Sequence, residues 1–401
     1  MPPQPVVVAV MALALSAPVF AQPAPQGRVP LGSSVSFTPS VVVVGGYDTN
    51  RLRTTDGTGD NEMYIAPQVE GWLGRGRTTL NVVGAIESQR LGQAPTLNNY
   101  VAAQAESGTR ILKFRGRVGR RDHEAPPTDF VGFELGIRSR RVEKELTGTA
   151  TFTPGRFSLG AGVERSLLRY DADQRYAGSS LRDNLNHDTT WTSLSAGVAL
   201  TPLTSLSSSV SFVRQSFLFA PARNGSGYRA LAGASFDTAA LVSGFAMAGV
   251  LSYETTFSKI SYQGPTYLVG LNFSRGGSTV RVSGLREIGF SFDPSRGFYL
   301  ATGGDLYSTV TVARRWQPFL RTSIRGLTPQ GPARDLEPYR GIQLLKTGLV
   351  FRVTRWARVG TEWERYVYGG VGGFRGARTT VFLMYGSDTP QRLDRPLPGQ
   401  F

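Results

Sequence analysis

Polar and apolar residues alternate one by one in short segments over most of the chain after residue 35. The clearest segment is 111–117. Lys113, Arg115 and Arg117 share one face, and Leu112, Phe114 and Gly116 share the other. A period of two is that of a β-strand, whose successive side chains point to opposite faces. The pattern therefore predicts strands, and the cationic face must meet water.

The same alternation recurs at roughly 20-residue spacing, as a transmembrane β-barrel requires. Further examples are the segments 80–87, 157–164, 266–274, 345–353 and 357–364. Their polar faces carry Gly, Ser, Thr, Arg and Glu, whereas the core of a water-soluble barrel would need Leu or Val there. We expect the apolar face to meet lipid and the polar face to line an aqueous lumen.

Connections between these segments alternate between tight and long. The tight turns include Gly74–Gly76, Pro154–Arg156, Gly276–Gly277 and Thr354–Arg355; the long polar connections include Asp48–Asn61, Arg120–Asp129, Asp171–Asp188 and Pro329–Glu337. This rhythm predicts an all-β fold, a transmembrane antiparallel up-and-down β-barrel of about 18 strands. Because 130–153 is hard to divide into strands, 16 is the fallback count.

Aromatic residues cluster near the ends of the predicted strands, where amphipathic rings favour the boundary between lipid and water. The sequence predicts an aromatic belt there, although aromatic residues are enriched in any strand. The predicted members are Tyr47, Tyr64, Trp72, Tyr170, Trp191, Phe219, Tyr253, Trp316, Tyr339, Trp356, Tyr366 and Tyr368.

The sequence divides into an export signal, a linker, a barrel and a tail. Residues 1–21 resemble a signal peptide, with an apolar stretch from Val6 and with Val19 and Ala21 at positions −3 and −1 before the expected cleavage, although the start lacks Lys or Arg. We expect a periplasmic linker at 22–34, the barrel at 35–386 and a polar tail at 387–401. No apolar run reaches the ~18 residues that a membrane-spanning helix needs. The chain has no cysteine, so no disulfide or thiolate site is possible.

The formal net charge is +15, which raises the question of a nucleic-acid partner. The arginines are spread along the whole chain rather than clustered, and we therefore expect no nucleic-acid partner. Alternation instead places charged residues on the lumenal face, where basic rings favour anions and acidic neighbours can pair with them. The predicted pore-lining residues are Lys113, Arg115, Arg117, Arg281, Arg321, Arg325, Lys346, Arg352, Arg358, Glu362 and Glu364. A salt-bridged network that only stiffens the barrel is the alternative.

The first strand ends in Val44-Gly45-Gly46-Tyr47-Asp48-Thr49-Asn50-Arg51, and an aromatic-rich strand, Thr379 to Tyr385, closes the series. With the signal peptide and the hairpin rhythm, these features resemble the outer-membrane β-barrel porins that accompany exopolysaccharide export in Gram-negative bacteria. The resemblance implies a barrel in the bacterial outer membrane that serves as a channel for polysaccharide or small solutes. The tail after Tyr385 departs from the usual terminal aromatic of such barrels, since its prolines prevent a closing strand.

Residues capable of catalysis or metal binding are few. His123 and His187 are predicted to lie in long loops, where neither has the serine partner that a hydrolase needs. The acidic segment 56–62 lacks the spacing of a calcium loop, and a plain outer loop is the preferred interpretation. We expect no enzyme, no cofactor and no metal.

The sequence thus predicts a porin-like channel for saccharides or small anionic solutes, with a part in exopolysaccharide export. Expected partners are outer-membrane lipid, polysaccharide or anionic small solutes, and exopolysaccharide export proteins. A structural or adhesive barrel with a closed lumen, an outer-membrane hydrolase and a secreted soluble β-protein are the alternatives.

Overall fold

A computed structural model of the chain shows a closed antiparallel barrel of 18 strands in the described residues, which confirms the predicted fold class and strand count. The structure describes residues 29–30, 34–50, 57, 59–91, 94–125, 139–176, 179–237, 240–257, 259–290, 298–330, 340–369 and 374–386. The predicted signal peptide and polar tail lie outside these residues and stay predictions.

The strands run in chain order around the barrel, each pairing with its neighbours in sequence. Their bounds are β1 Val35–Asp48, β2 Asp60–Arg75, β3 Thr78–Leu91, β4 Ala94–Gly108, β5 Leu112–Ala125, β6 Ser139–Phe152, β7 Phe157–Tyr170, β8 His187–Thr201, β9 Thr204–Phe217, β10 Gly225–Phe236, β11 Val242–Thr255, β12 Ser261–Arg275, β13 Ser278–Phe290, β14 Phe298–Val310, β15 Trp316–Pro329, β16 Arg340–Arg352, β17 Ala357–Tyr368 and β18 Phe374–Tyr385.

The first and last strands close the barrel. Their register runs from Val41 opposite Tyr385 to Asp48 opposite Arg378. Below this stretch, Val29 and Pro30, in the predicted linker, form a short strand against the start of β1. The start of β1 and the end of β18 lie at the same end of the barrel as the turns 76–77 and 276–277. This is the short-turn end, which faces the periplasm in outer-membrane barrels, and the opposite end is the long-loop end.

The outer surface is apolar, as the alternation predicts. Leu194, Leu97 and Val381 are each 58 or 59% exposed, and Val101 and Ile324 are each 57% exposed. Large apolar side chains left this accessible on a sheet of alternating residues need a hydrocarbon surround. The register joins them in continuous rows around the barrel, because directly opposite residues of paired strands share a face.

Helical structure is minor. A five-residue helix, α1 (Leu181–Leu185), and one 3-10 turn, Pro221–Arg223, lie in connections at the long-loop end. Ser180 caps α1 by accepting a hydrogen bond from the backbone N–H of Asp183, and Leu181 and Leu185 are fully buried. No helix in the described ranges is long and apolar enough to cross a membrane.

Pairing is incomplete between β12 and β13. Their register runs only from Leu268 opposite Leu285 to Arg275 opposite Ser278, at the short-turn half of both strands. Higher up, the hydroxyl of Thr266 donates to the carbonyl of Arg286 at 2.5 Å, and the guanidinium of Arg286 lies 5.9 Å from the ring centre of Tyr262. The upper part of the β13–β14 hairpin thus departs from β12.

Two loop predictions are wrong at their edges. Strand β5 continues to Ala125 beyond the predicted loop start at Arg120, so His123 lies in a strand. His187 is the first residue of β8 rather than a loop residue. Both strands extend past the length that the membrane alone requires, which is about 9–11 residues.

The aromatic belt prediction is wrong for half of its members. Tyr64, Trp72, Tyr170, Trp191, Tyr253 and Tyr366 share a face with the polar residues of their strands and point inward. Tyr170, Tyr253 and Tyr366 are at most 3% exposed. Near the short-turn end, Phe152, Phe157, Trp316 and Tyr385 are exposed and form part of an outer aromatic girdle. Tyr339 lies outside the described residues.

Candidate functional site

The inner wall of the barrel is the candidate site, and the strand register decides which residues belong to it. All eleven predicted pore-lining residues fall on the inward face of their strands. For example, Lys346 is opposite Glu364, and Arg117 is opposite Gln104. Whether these side chains line an ion pathway remains a prediction.

One side of the inner wall, from β6 to β10, consists of small hydroxyl residues and glycine in its short-turn half. They are Thr147, Thr149, Thr151, Ser158, Gly160, Gly162, Ser193, Ser195, Gly197, Ser205, Ser207, Ser209, Ser211, Gly233 and Ser235. We call this set the hydroxyl wall. Serine hydroxyls lie over glycines of neighbouring strands: a Cβ on Gly160 would sit 2.4 Å from Oγ of Ser195. The side chains of this wall are therefore short, polar and uncharged.

Basic residues follow one another on the inward face of β5. Nη2 of Arg115 lies 2.8 Å from a carboxylate oxygen of Glu106, and Arg115 keeps 58% of its side chain exposed. Arg117 donates to the hydroxyl of Tyr100 at 2.9 Å. The guanidinium of Arg121 lies 5.6 Å from the centre of the same ring. With Lys113 below them, these side chains form a basic ladder along one strand.

A second group of charges spans β13, β14 and β15. Arg321 and Arg325 each lie 3.5 Å from a carboxylate oxygen of Asp305. Arg281 donates through Nε to the side-chain oxygen of Asn272 at 3.2 Å. One carboxylate thus forms ion pairs with two guanidiniums, and this group keeps an excess of positive charge.

The third group is an ionic cluster that joins both ends of the chain. Lys346 lies 3.0 Å from Glu362 and 2.8 Å from Glu364, with 11% of its side chain exposed. Arg378 approaches the same two carboxylates and reaches Glu62 of β2 at 3.5 Å. These five side chains are mostly buried, and their pairing favours the stiffening role that the sequence left as the alternative.

Arg352 and Arg358 bring two positive charges together. They lie directly opposite each other on β16 and β17 at the short-turn end. Nε of Arg352 is buried and has no hydrogen-bond partner. Two adjacent guanidiniums concentrate positive charge at this end of the lumen.

The inward face as a whole is not the cationic surface that the sequence predicts. Among the inward side chains that the structure describes in the strands, fourteen are Lys or Arg and thirteen are Asp or Glu. The basic ones are Lys113, Arg115, Arg117, Arg121, Arg141, Arg229, Arg281, Arg286, Arg321, Arg325, Lys346, Arg352, Arg358 and Arg378. The acidic ones are Asp48, Asp60, Glu62, Glu70, Glu87, Glu106, Glu143, Glu145, Glu164, Glu287, Asp305, Glu362 and Glu364.

Sequence reasoning missed several of these residues. Asp305 and Arg378 hold two of the three charged groups together, yet neither was among the predicted pore-lining residues. The alternation signal was available, because Arg378 lies two residues before the inward Thr380 and four before the inward Phe382 in β18. Its partner Glu62 is more than 300 positions away, and only barrel closure brings the two together.

Aromatic side chains pack together at the long-loop end of the lumen. The rings of Phe217 and Phe290 have centres 5.1 Å apart, and those of Tyr253 and Phe298 are also 5.1 Å apart. The guanidinium of Arg223 lies 4.8 Å from the Phe217 ring and donates to a backbone carbonyl near α1. We call these four aromatic residues the mouth cluster. It fills part of the outer opening on the side of β9 to β14.

The candidate residues for catalysis and metal binding were His123, His187 and the segment 56–62. His187 packs its ring 4.9 Å from that of Phe217, and its Nδ1 lies 2.7 Å from a backbone carbonyl. Among the residues that the structure describes, no three or more His, Cys, Asp or Glu side chains are grouped as a metal ion would need. Most of the acidic segment 56–62 falls outside the described residues or within β2.

Comparisons with known proteins agree with the barrel. The chain matches the family described as "Putative beta-barrel porin 2" over residues 29–267. Among curated proteins, no sequence matches it. Solved structures with a similar fold include a BenF-like porin from Pseudomonas fluorescens Pf-5, with 10% identity, 87% of this chain and 98% of that chain covered, and a TM-score of 0.48. OccK2 (OpdF) from Pseudomonas aeruginosa has 9% identity, coverages of 88% and 97%, and a TM-score of 0.47.

Proposed function

The chain belongs to this beta-barrel porin family of the bacterial outer membrane, and from that premise we propose that it is a channel for saccharides and small anionic solutes. The observation that carries the proposal is the hydroxyl wall, which gives one side of the lumen many hydrogen-bonding groups and no charge. A barrel of 18 strands is wide enough for an aqueous channel.

Saccharides suit such a wall because their hydroxyls can exchange water for protein hydroxyls. Each Ser or Thr can both donate and accept a hydrogen bond. Small side chains also leave the lumen wide on this side, and weak contacts at many sites let a solute enter and leave again. Neutral sugars therefore have a path that avoids the charged strands.

Anionic solutes have a second path beside the first. The basic ladder of β5 adjoins the hydroxyl wall at β6, and Arg115 is exposed to the lumen. Guanidinium groups bind carboxylate and phosphate groups through paired hydrogen bonds. We therefore place small acidic sugars among the solutes and propose a role in exopolysaccharide export, with export proteins as partners.

Swelling of proteoliposomes in neutral sugars and in potassium salts of sugar acids tests the proposal. The variant that replaces Ser207 and Ser209 with Leu should slow sugar entry several-fold, because both side chains face the lumen. Leu at Ser208, which lies between them on the outward face, is the matched control and should leave the rate unchanged. Liposomes that do not swell with the folded wild-type protein would refute the channel.

A structural or adhesive barrel with a closed lumen has one observation in its favour, the mouth cluster. Tyr253 and Phe298 are each 1% exposed, so nothing passes between them. Conductance in planar bilayers separates the two functions, because a closed barrel inserts without carrying current. A hydrolase has no comparable observation on its side.

A further inference from the structure

We propose that the lumen is bipolar, with a positive zone at the short-turn end and a negative zone at the long-loop end, and that the channel therefore rectifies ionic current. The inference rests on the proposed function, since it needs an open lumen. It goes beyond that function because separate zones of opposite charge make the ionic current depend on the sign of the voltage. A uniformly cationic lumen does not have this effect.

The positive zone comprises the inward charges within six residues of the short-turn end of their strands. Its basic members are Lys113, Arg115, Arg117, Arg281, Arg321, Lys346, Arg352 and Arg358; its acidic members are Glu70, Glu106, Asp305 and Glu362. The zone has eight basic and four acidic side chains, and its formal charge is +4. Pairing within the zone does not change this sum.

The negative zone comprises the remaining inward charges, nearer the long loops, and includes Arg286, whose guanidinium lies 5.9 Å from the ring centre of the inward Tyr262. Its acidic members are Asp48, Asp60, Glu62, Glu87, Glu143, Glu145, Glu164, Glu287 and Glu364; its basic members are Arg121, Arg141, Arg229, Arg286, Arg325 and Arg378. Among the side chains that the structure describes, nine acidic and six basic groups give −3. The charges of the two zones nearly cancel in total, but their signs differ along the axis.

Fixed charges on the wall of a narrow aqueous passage concentrate ions of opposite sign. Anions therefore accumulate in the positive zone and cations in the negative zone. When the long-loop side is electrically positive, cations enter through the negative zone and anions enter through the positive zone. Both ions then fill the lumen, and the conductance is high. The opposite voltage draws each ion toward the zone that repels it, so the lumen is depleted and the conductance falls.

Single-channel currents in planar bilayers, recorded with equal KCl on both sides, test the inference. Since the Debye length is about 30 Å at 0.01 M salt and about 3 Å at 1 M, we expect at least about twofold asymmetry between voltage signs at low salt and none at high salt. The larger current should flow with the long-loop side positive. In a KCl gradient the reversal potential should stay small, because the inward charges nearly balance.

Two pairs of substitutions assign the effect to the zones. Arg352→Gln with Arg358→Gln should reduce the asymmetry, since it removes two positive charges from the lumenal wall. Arg156→Gln with Arg275→Gln removes the same charge at the same end, from a turn and from the outward face, and should leave the asymmetry intact. Electrophoresis in SDS without prior heating checks that each variant is folded, because a folded barrel resists unfolding by SDS.

The outcomes separate the inference from the proposed function. A folded protein without conductance would contradict the channel itself. A conducting channel with equal currents at both voltages in low salt would overturn the bipolar lumen and leave the channel standing. Asymmetry that survives the loss of Arg352 and Arg358 would also overturn it.

Discussion

Removal of Lys346 should destabilise the barrel more than any other single loss of a lysine in the described strands. Its Nζ lies 3.0 Å from Glu362 and 2.8 Å from Glu364, with 11% of the Lys side chain and less than 10% of each Glu side chain exposed. At these distances each pair attracts by about 5 kcal/mol for an effective dielectric constant near 20. Desolvation of the three groups offsets much of that gain.

The net effect follows from what the substitution leaves behind. Lys346→Met removes the cation nearest to two buried carboxylates; Arg378 lies farther away, 3.7 Å from Glu362 and 3.5 Å from Glu364. Removing one partner of a buried ion pair costs about 3–5 kcal/mol, because the remaining charge is stranded. We expect a loss of that size. The same substitution made together with Glu362→Gln and Glu364→Gln should cost much less, since no carboxylate is then stranded.

Equilibrium unfolding in urea from lipid vesicles, followed by tryptophan fluorescence, measures the loss. Lys259→Met is the matched control: Lys259 lies 3.5 Å from Glu254, but the two side chains are 71% and 53% exposed. Exposed pairs contribute at most about 1 kcal/mol, so this variant should unfold with the wild type. A loss below about 1 kcal/mol for Lys346→Met, or an equal loss with both glutamines present, would refute the stranded-charge argument.

Three further predictions concern faces and the lumen. Val210→Arg, on the outward face at mid-strand of β9, should destabilise the barrel by about 2–4 kcal/mol in urea unfolding, whereas Ser209→Arg, one residue away and inward, should be tolerated. Asp305→Asn, which releases two arginines, should shift the reversal potential in a KCl gradient toward anion selectivity, and Asp237→Asn, in a turn, should not. Phe298→Ala should raise the single-channel conductance if the mouth cluster narrows the opening, and an unchanged conductance would count against that role.

Alternation was sufficient for the architecture because lipid on one side and water on the other impose opposite requirements on successive residues. The strand count, the membrane location and the inward placement of Lys113, Arg115 and Arg117 all follow from this requirement. The direction of aromatic side chains does not follow from it. Trp72 and Trp191 suit a lipid boundary and a polar lumen equally well, and only the register shows that they point inward.

The charge balance of the lumen could not be predicted from the alternation within single strands. Each strand shows which of its residues point inward, but the sign of a zone depends on strands that are far apart in the chain. Glu62 and Arg378 become neighbours only when β1 pairs with β18. The predicted set favoured basic residues because β5 presents several in succession, whereas the carboxylates are distributed singly over many strands.

The described inward side chains of the strands sum to only +1, so they do not account for the formal charge of +15. Part of the excess lies at the short-turn end, where the described connections carry Arg77, Arg110, Arg156, Arg314, Arg315 and Arg355 against one acidic residue, Asp237. Positive charge at this rim has the same sign as the adjoining zone of the lumen, so the two potentials add for an ion that approaches from the periplasm. In the proposed channel this rim would attract anions before they enter, whereas rectification depends on the charges inside the lumen; neutralising Arg156 is therefore a control for neutralising Arg352 and Arg358.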